Sequence, residues 1–191
     1  ASLRSSIVSH AKTLGYVPSS ARAAKATVDV TLNTNSSTAT MPAGTVFSTT
    51  VGDTTFQFST IEAFTKSNTG NSIPFVGVDI YEGTFITTRY TVDSSDIDQR
   101  FLLTDNRADT STLIVKVQTS STDSTSTTFT EATDITQVTS GSNVFFLQEV
   151  EAGLFEVYFG DGVIGTALSD DNIIILTYVV SNKSAANGAS I

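Results

Sequence analysis

The chain has 191 residues, with 10 Lys+Arg against 19 Asp+Glu, a formal charge of −9 and a pI near 4.3. Such a balance repels phosphate backbones and anionic lipid, which argues against nucleic-acid and membrane-surface partners. Cysteine is absent, which excludes disulfide frameworks, thiolate chemistry and Cys-ligated zinc together. Apolar residues make up 39% and mean hydropathy is +0.09, enough for a real core in one or two small domains. The longest apolar run ends at Val180 and falls well short of the ~20 residues of a membrane helix. No signal peptide opens the chain, and its first residue is Ala1, which reads as a fragment or a processed form.

Residues Ser2 to Leu14 predict a short helix. Leu3, Ile7, Ala11 and Leu14 share one face, Ser2 can cap it, and Gly15 and Pro18 follow its end. From Lys25 the apolar period changes to two. Val28, Val30 and Leu32 alternate with Thr27, Asp29 and Thr31, and Asn33 to Thr38 reads as a loop. Pro42 and Gly44 then predict a bend leading into an edge strand. Phe56-Gln57-Phe58 alternates, as do Val76, Val78 and Ile80, then Ile86, Thr88, Tyr90 and Val92. Glu82-Gly83 is expected at the turn between these last two strands.

Phe101 and Leu103 predict a short strand, Asp105 to Asp109 a turn, and Leu113, Val115 and Val117 another strand. Gln118 to Thr128 is almost wholly Ser and Thr and reads as an exposed loop. Strands follow near Val144 to Leu147 and Leu154 to Phe159. In the second, Phe155, Val157 and Phe159 place one apolar face. That strand stops at Gly160-Asp161-Gly162, where Gly permits positive φ and Asp can bond its own turn. Ile173 to Val180 is nearly continuous in apolar residues, so both of its faces are expected to be covered.

Many short strands at regular spacing predict a mostly β fold, a β-sandwich-like module of short antiparallel strands. With the N-terminal helix the chain is α+β overall. The expected organisation is a helix and linker over 1–20, a β-rich module over 21–183, and a linker or frayed end over 184–191. Two subdomains divided near 119–128 are the variant of this scheme.

Little in the sequence points to a reaction. His10 is the single histidine, and no Ser or Asp has a context tying it to a catalytic arrangement. Asp93, Asp96 and Asp98 could offer calcium oxygens but lack the order, central Gly and terminal Glu of an EF-hand loop. Asp105 and Asp109 read as ordinary turn formers. Asp161 between two glycines lacks a phosphate-loop or dinucleotide pattern, and the Asp-Gly preference favours a hairpin turn. Glu149, Glu151 and Glu156 lack the signs of a paired acid and base, and Trp, common in sugar sites, is absent. Neither catalytic nor metal nor cofactor residues are assigned. The residues singled out are structural turns: Pro42, Gly44, Gly160, Asp161 and Gly162.

Several segments together resemble the baseplate J-like family, wedge subunits of contractile phage tails and related injection systems. They are Leu14-Gly15-Tyr16-Val17-Pro18 with Ala23 to Ala26, Met41-Pro42-Ala43-Gly44-Thr45, Phe155 to Gly165 around Tyr158-Phe159-Gly160-Asp161-Gly162, Asn172-Ile173-Ile174, and Ala186 to Ala189. Glu82 to Tyr90 and Arg107 to Leu113 are similar to the wedge proteins of large contractile-tailed phages. Two departures are Met41 where the family has Ile, and Lys183-Ser184 in place of a Gly-rich approach to Asn187-Gly188.

The resemblance implies a structural, non-enzymatic protein without cofactors, sited in the virion tail baseplate and assembled in the host cytoplasm. It implies a ring around the tail hub that rearranges when the sheath contracts. Its partners would be other baseplate wedge and hub proteins and copies of itself, a homo-oligomer in the full assembly. The family also implies longer chains, of which this would be a central β module. The alternative is an adhesin-like β-sandwich of a bacterial surface, which is also acidic, Cys-free and Thr-rich. A carbohydrate-active enzyme ranks third.

Overall fold

The computed structural model describes residues 19–182. Thirteen strands account for most of them. One compact unit holds Ala21–Ile86, Asp109–Thr112 and Tyr178–Asn182, and a second holds Thr87–Ala108 and Leu113–Thr177.

The first unit contains a four-stranded sheet. Its order is Lys25–Asn33 (β1), Ser72–Glu82 (β6), Thr54–Ser59 (β4) and Val46–Val51 (β3), all antiparallel. Thr38–Met41 (β2) and Phe64–Ser67 (β5) pair as a separate ribbon. Alternation decides the core: Phe56 and Phe58 from β4 and Ile73, Phe75, Val78 and Ile80 from β6 are buried together with Met41. Ala39 and Phe64 of the ribbon pack against this cluster, which gives the unit its sandwich-like section. The bend at Pro42 and Gly44 precedes β3, an edge strand.

The simple alternation of Val76, Val78 and Ile80 does not hold. Val28 pairs with Val78 but Val30 with Phe75, so Val76 and Gly77 together face Asp29 in a bulge. The Gly77 amide donates to Asp29 Oδ1 at 2.7 Å. The extra residue keeps Ile73, Phe75, Val78 and Ile80 on one face and turns Val76 out, 69% exposed.

The second unit is built on a seven-stranded sheet, whose order runs Thr84–Thr91 (β7), Ile173–Val180 (β13), Ala108–Gln118 (β9), Ser126–Glu131 (β10), Val144–Glu149 (β11), Phe155–Phe159 (β12) and Phe101–Leu103 (β8). By residue, 84–86 of β7, 109–112 of β9 and 178–180 of β13 belong to the first unit. β13 is an interior strand of the sheet, with Ile174, Leu176, Tyr178 and Val179 fully buried. This matches its continuous apolar run.

The sheet curls instead of facing a second sheet. Its two edge strands, β7 and β8, meet through side chains. The Tyr90 and Phe101 rings lie edge-to-face at 5.7 Å, the Tyr90 hydroxyl donates to the Leu102 carbonyl at 2.7 Å, and Gln99 Nε2 donates to the Thr91 carbonyl at 2.8 Å. The unit is therefore a nearly closed barrel, and the expected sandwich is corrected here. Strand twist accumulated over seven strands brings the edges round, and closure hides them. Phe101–Phe159 and Phe129–Phe159 continue the edge-to-face chain at 5.8 and 5.5 Å. Each such pair contributes about 0.5–1.5 kcal/mol beyond its buried area.

Other expectations change as well. β10 and β11 are parallel, an exception to the antiparallel rule, and the connection 132–143 supplies the return that a parallel pair needs. Ser126–Glu131 is a strand, so the Ser/Thr loop is shorter than expected, and 119–128 lies inside the second unit and not at a division. Glu82-Gly83 does not close a hairpin: β6 and β7 run into different sheets. The Gly160–Gly162 turn does not form a hairpin with β13 either, because β12 pairs with β11 and β8. Among the described residues the helical elements are 3-10 turns at Ile135–Gln137 and Glu151–Gly153, so the α+β description has no support within 19–182. The expected helix Ser2–Leu14, with His10, and the expected tail 184–191 lie outside the described residues.

Candidate interaction surface

The structural-turn residues fall in two places. Pro42 and Gly44 form a turn around Thr60, which is fully buried. The Pro42 carbonyl accepts from the Thr45 amide at 3.3 Å, from Thr45 Oγ1 at 2.7 Å and from Thr60 Oγ1 at 3.0 Å. The Gly44 amide donates to the Thr60 carbonyl at 2.8 Å. Gly44 has φ +78, and a Cβ there would sit 2.8 Å from Phe85 Cδ1, so a side chain is excluded both by conformation and by the ring above it. Sequence reasoning missed Thr60, whose partners lie 15 and 18 residues away.

Gly160, Asp161 and Gly162 form a closed loop at the end of β12. Asp161 Oδ1 accepts from the Val163 and Ile164 amides, both at 2.9 Å. These two backbone donors, that of Ile164 first, hold its carboxyl below the ordinary Asp range. The loop closes with the Gly162 amide on the Gly165 carbonyl at 3.0 Å. It is tied to the 139–143 segment by Gly165 to Thr139 at 3.1 Å and Thr166 to Ser142 at 2.9 Å. At Gly160 the backbone passes so near Gly165 that a Cβ would lie 2.4 Å from its carbonyl carbon. A loop this constrained still presents two aliphatic side chains to solvent, Val163 at 74% and Ile164 at 41% exposure. A loop held this firmly loses little freedom if it docks.

The aspartates act as loop clips. Asp93, Asp109, Asp123 and Asp134 each accept from the amide two residues on, at Ser95, Ser111, Thr125 and Thr136. The Ser95 and Thr136 hydroxyls, followed by the amides of the same residues, hold Asp93 and Asp134 below the usual carboxylate range, and the Thr125 amide above all does so for Asp123. Much of the chain's acidity is thus turn chemistry. Asp109 differs from its turn-former reading in being buried, with its second oxygen on the Ala23 amide at 2.8 Å. Asp105 is paired with Arg107 at 2.8 Å. Among the described residues, no group of three or more His, Cys, Asp or Glu is placed to hold a metal ion, Asp93, Asp96 and Asp98 included.

Of the three glutamates, Glu156 is buried on the outer face of β12. Arg100 grips both of its oxygens, Nε at 3.0 Å and Nη2 at 2.7 Å, and the Tyr158 hydroxyl donates at 2.9 Å. Arg100 above all holds the Glu156 carboxyl below its ordinary range. A shallow cleft of about 160 Å³ beside Ile61, Glu62, Phe64, Gly77, Asp79 and Tyr81 is below the ~300–1,000 Å³ of ordinary ligand sites. Its Asp79 is committed to Lys25 at 2.8 Å.

The sequence family described as bacteriophage baseplate wedge protein gp6, third domain, matches residues 86–190. That is more than half of the chain and takes in nearly all of β7 and the whole of β8 to β13. The chain belongs to this baseplate wedge family. It is therefore a structural component of a phage baseplate, located in the virion tail, and the adhesin alternative is set aside. The matched region contains the Gly160–Gly165 loop, Arg100, Glu156 and the barrel. The Pro42–Thr45 turn and the four-stranded sheet lie outside it. No curated protein matches the chain.

Proposed function

We propose that this baseplate wedge protein acts purely as an architectural subunit, contacting neighbouring wedge and hub proteins and copies of itself in a ring around the tail hub, and shifting those contacts when the sheath contracts. The organisation we propose is a β-rich module over 21–183 flanked by connecting segments over 1–20 and 184–191. The observation that carries this reading is the family match over 86–190. The constrained loop that holds Val163 and Ile164 in solvent supports it, since a rigid apolar element loses little freedom on docking. The fixed Arg100–Glu156 pair, locked together instead of poised for reaction, fits the same role. Assembly in the host cytoplasm follows from this reading.

The test is affinity isolation of the full chain from a lysate containing its tail-assembly neighbours, with mass spectrometry of what is retained. Enrichment of other baseplate proteins over sheath and capsid proteins is expected. Retention of glycans or cell-surface material with no baseplate protein would overturn the reading.

A further inference from the structure

The first unit buries two carboxylates, Glu82 and Asp109, each 1% exposed, and among the described residues neither pairs with a Lys or Arg. Such groups are expensive to bury unless hydrogen bonds replace water, so what they hold is informative. Glu82 touches both the incoming and the outgoing chain. Its amide donates to the Ala24 carbonyl at 2.8 Å, and its carboxylate accepts from the Asn182 side chain at 2.8 Å and the Asn182 amide at 3.3 Å.

The segment Asp109–Thr112 does the same a second time. Asp109 Oδ2 accepts from the Ala23 amide at 2.8 Å. Thr112 Oγ1 donates to the Asp109 carbonyl at 2.7 Å and accepts from the Val179 amide at 2.9 Å. The backbone at Gly83 also runs against β13, where a Cβ would lie 2.3 Å from the Val180 carbonyl oxygen.

We propose that Glu82 and Asp109–Thr112 form a two-rung staple fastening the incoming chain at Ala23–Ala24 to the outgoing chain at Val179–Asn182. The chain entering at Ala23–Ala24 and the chain leaving at Asn182 then depart from one fixed place. A pull between the segments before Ala23 and after Asn182 loads the staple first and reaches the four-stranded sheet only after the staple opens. This inference does not depend on the baseplate role.

Native-state hydrogen exchange on the full chain under graded denaturant tests it. The amides of Ala23, Val179 and Asn182 are expected to exchange far more slowly than unstructured amides and to merge into one opening isotherm. Thr112→Val removes the hydroxyl with little change of shape. It is expected to speed exchange at Ala23 as well as Val179 by about tenfold or more, the scale of one lost buried hydrogen bond, while Phe75 and Val78 keep their rates. Thr112→Ser restores slow exchange. Separate isotherms for Ala23 and Asn182 in the unmodified chain would overturn the proposal, as would a Thr112→Val effect confined to Val179. The unmodified chain decides the question even where the variant fails to fold.

Discussion

Replacing Gly83 with Ala is the sharpest single test of the packing described here. Gly83 has φ +127, a conformation that side-chain-bearing residues avoid at a cost of about 1–3 kcal/mol. The added Cβ would also sit 2.3 Å from the Val180 carbonyl oxygen and 2.9 Å from its carbonyl carbon. Both contacts are to backbone of a buried strand, so no rotamer change relieves them, and overpacking of this kind adds about 1–3 kcal/mol. The sum, about 2–6 kcal/mol, is a large share of the ~5–15 kcal/mol that holds a domain folded.

Gly162→Ala is the matched control. Its φ is +86, but the nearest atom to a Cβ there is 3.7 Å away, so only the conformational cost of about 1–3 kcal/mol applies. At roughly 2–4 °C per kcal/mol for a chain of this size, Gly83→Ala should lower Tm by roughly 4–24 °C and Gly162→Ala by roughly 2–12 °C. The chain has no Trp, so far-UV circular dichroism and calorimetry are the appropriate probes. A Gly83→Ala protein melting within about 2 °C of the parent would refute the close passage of Gly83 and Val180.

Three further outcomes are expected. Thr60→Val keeps the shape but deprives Pro42 of a donor and the Thr45 amide of an acceptor, and should cost about 1–3 kcal/mol by chemical denaturation. Val76→Asp, on the outward side of the bulge, should shift stability by no more than about 0.5 kcal/mol, whereas Val78→Asp, two residues on and fully buried, should prevent folding of its unit; equal effects would refute the bulge. Glu156, Asp93, Asp123, Asp134 and Asp161 have depressed carboxyl pKa values, so their contribution is present above the unfolded values near 4.5 and 3.8 and is lost as pH falls through the lower folded ones. Melts from pH 7 to pH 2 should show stability falling below about pH 4, and Glu156→Gln should be destabilising at pH 7 but nearly indistinguishable from the parent at the acid end.

What the sequence disclosed depended on how local each cause is. The run Ile173 to Val180 identifies a strand covered on both faces, because burial of both faces demands continuous apolar residues. Phe155, Val157 and Phe159 identify the apolar face of β12 by alternation, which is equally local. Val76 was misplaced because a bulge is fixed by its partner strand at Asp29, 47 residues away, and leaves the local pattern intact. Ser126 to Thr128 reads as loop, since a strand held mainly by Val115 to Gln118 needs few apolar residues of its own. Asp109 looks like any turn aspartate until Ala23, 86 residues earlier, is brought to its second oxygen. The Arg100–Glu156 pair is similarly invisible across 56 residues. Glu82-Gly83 carries a turn signal, yet the glycine serves close passage of another strand. Turn chemistry and strand periodicity are short-range, whereas closure of the barrel through Tyr90 and Phe101 is a property of the whole sheet.

The most direct test of the central claim is a cryo-electron microscopy reconstruction of the tail to which this chain belongs, at a resolution that separates strands. Density in the baseplate is expected for the curled seven-stranded sheet, with the Gly160–Gly165 loop against a neighbouring subunit. A complete baseplate map with no density for this fold, or with the Val163–Ile164 loop open to solvent on every copy, would contradict it.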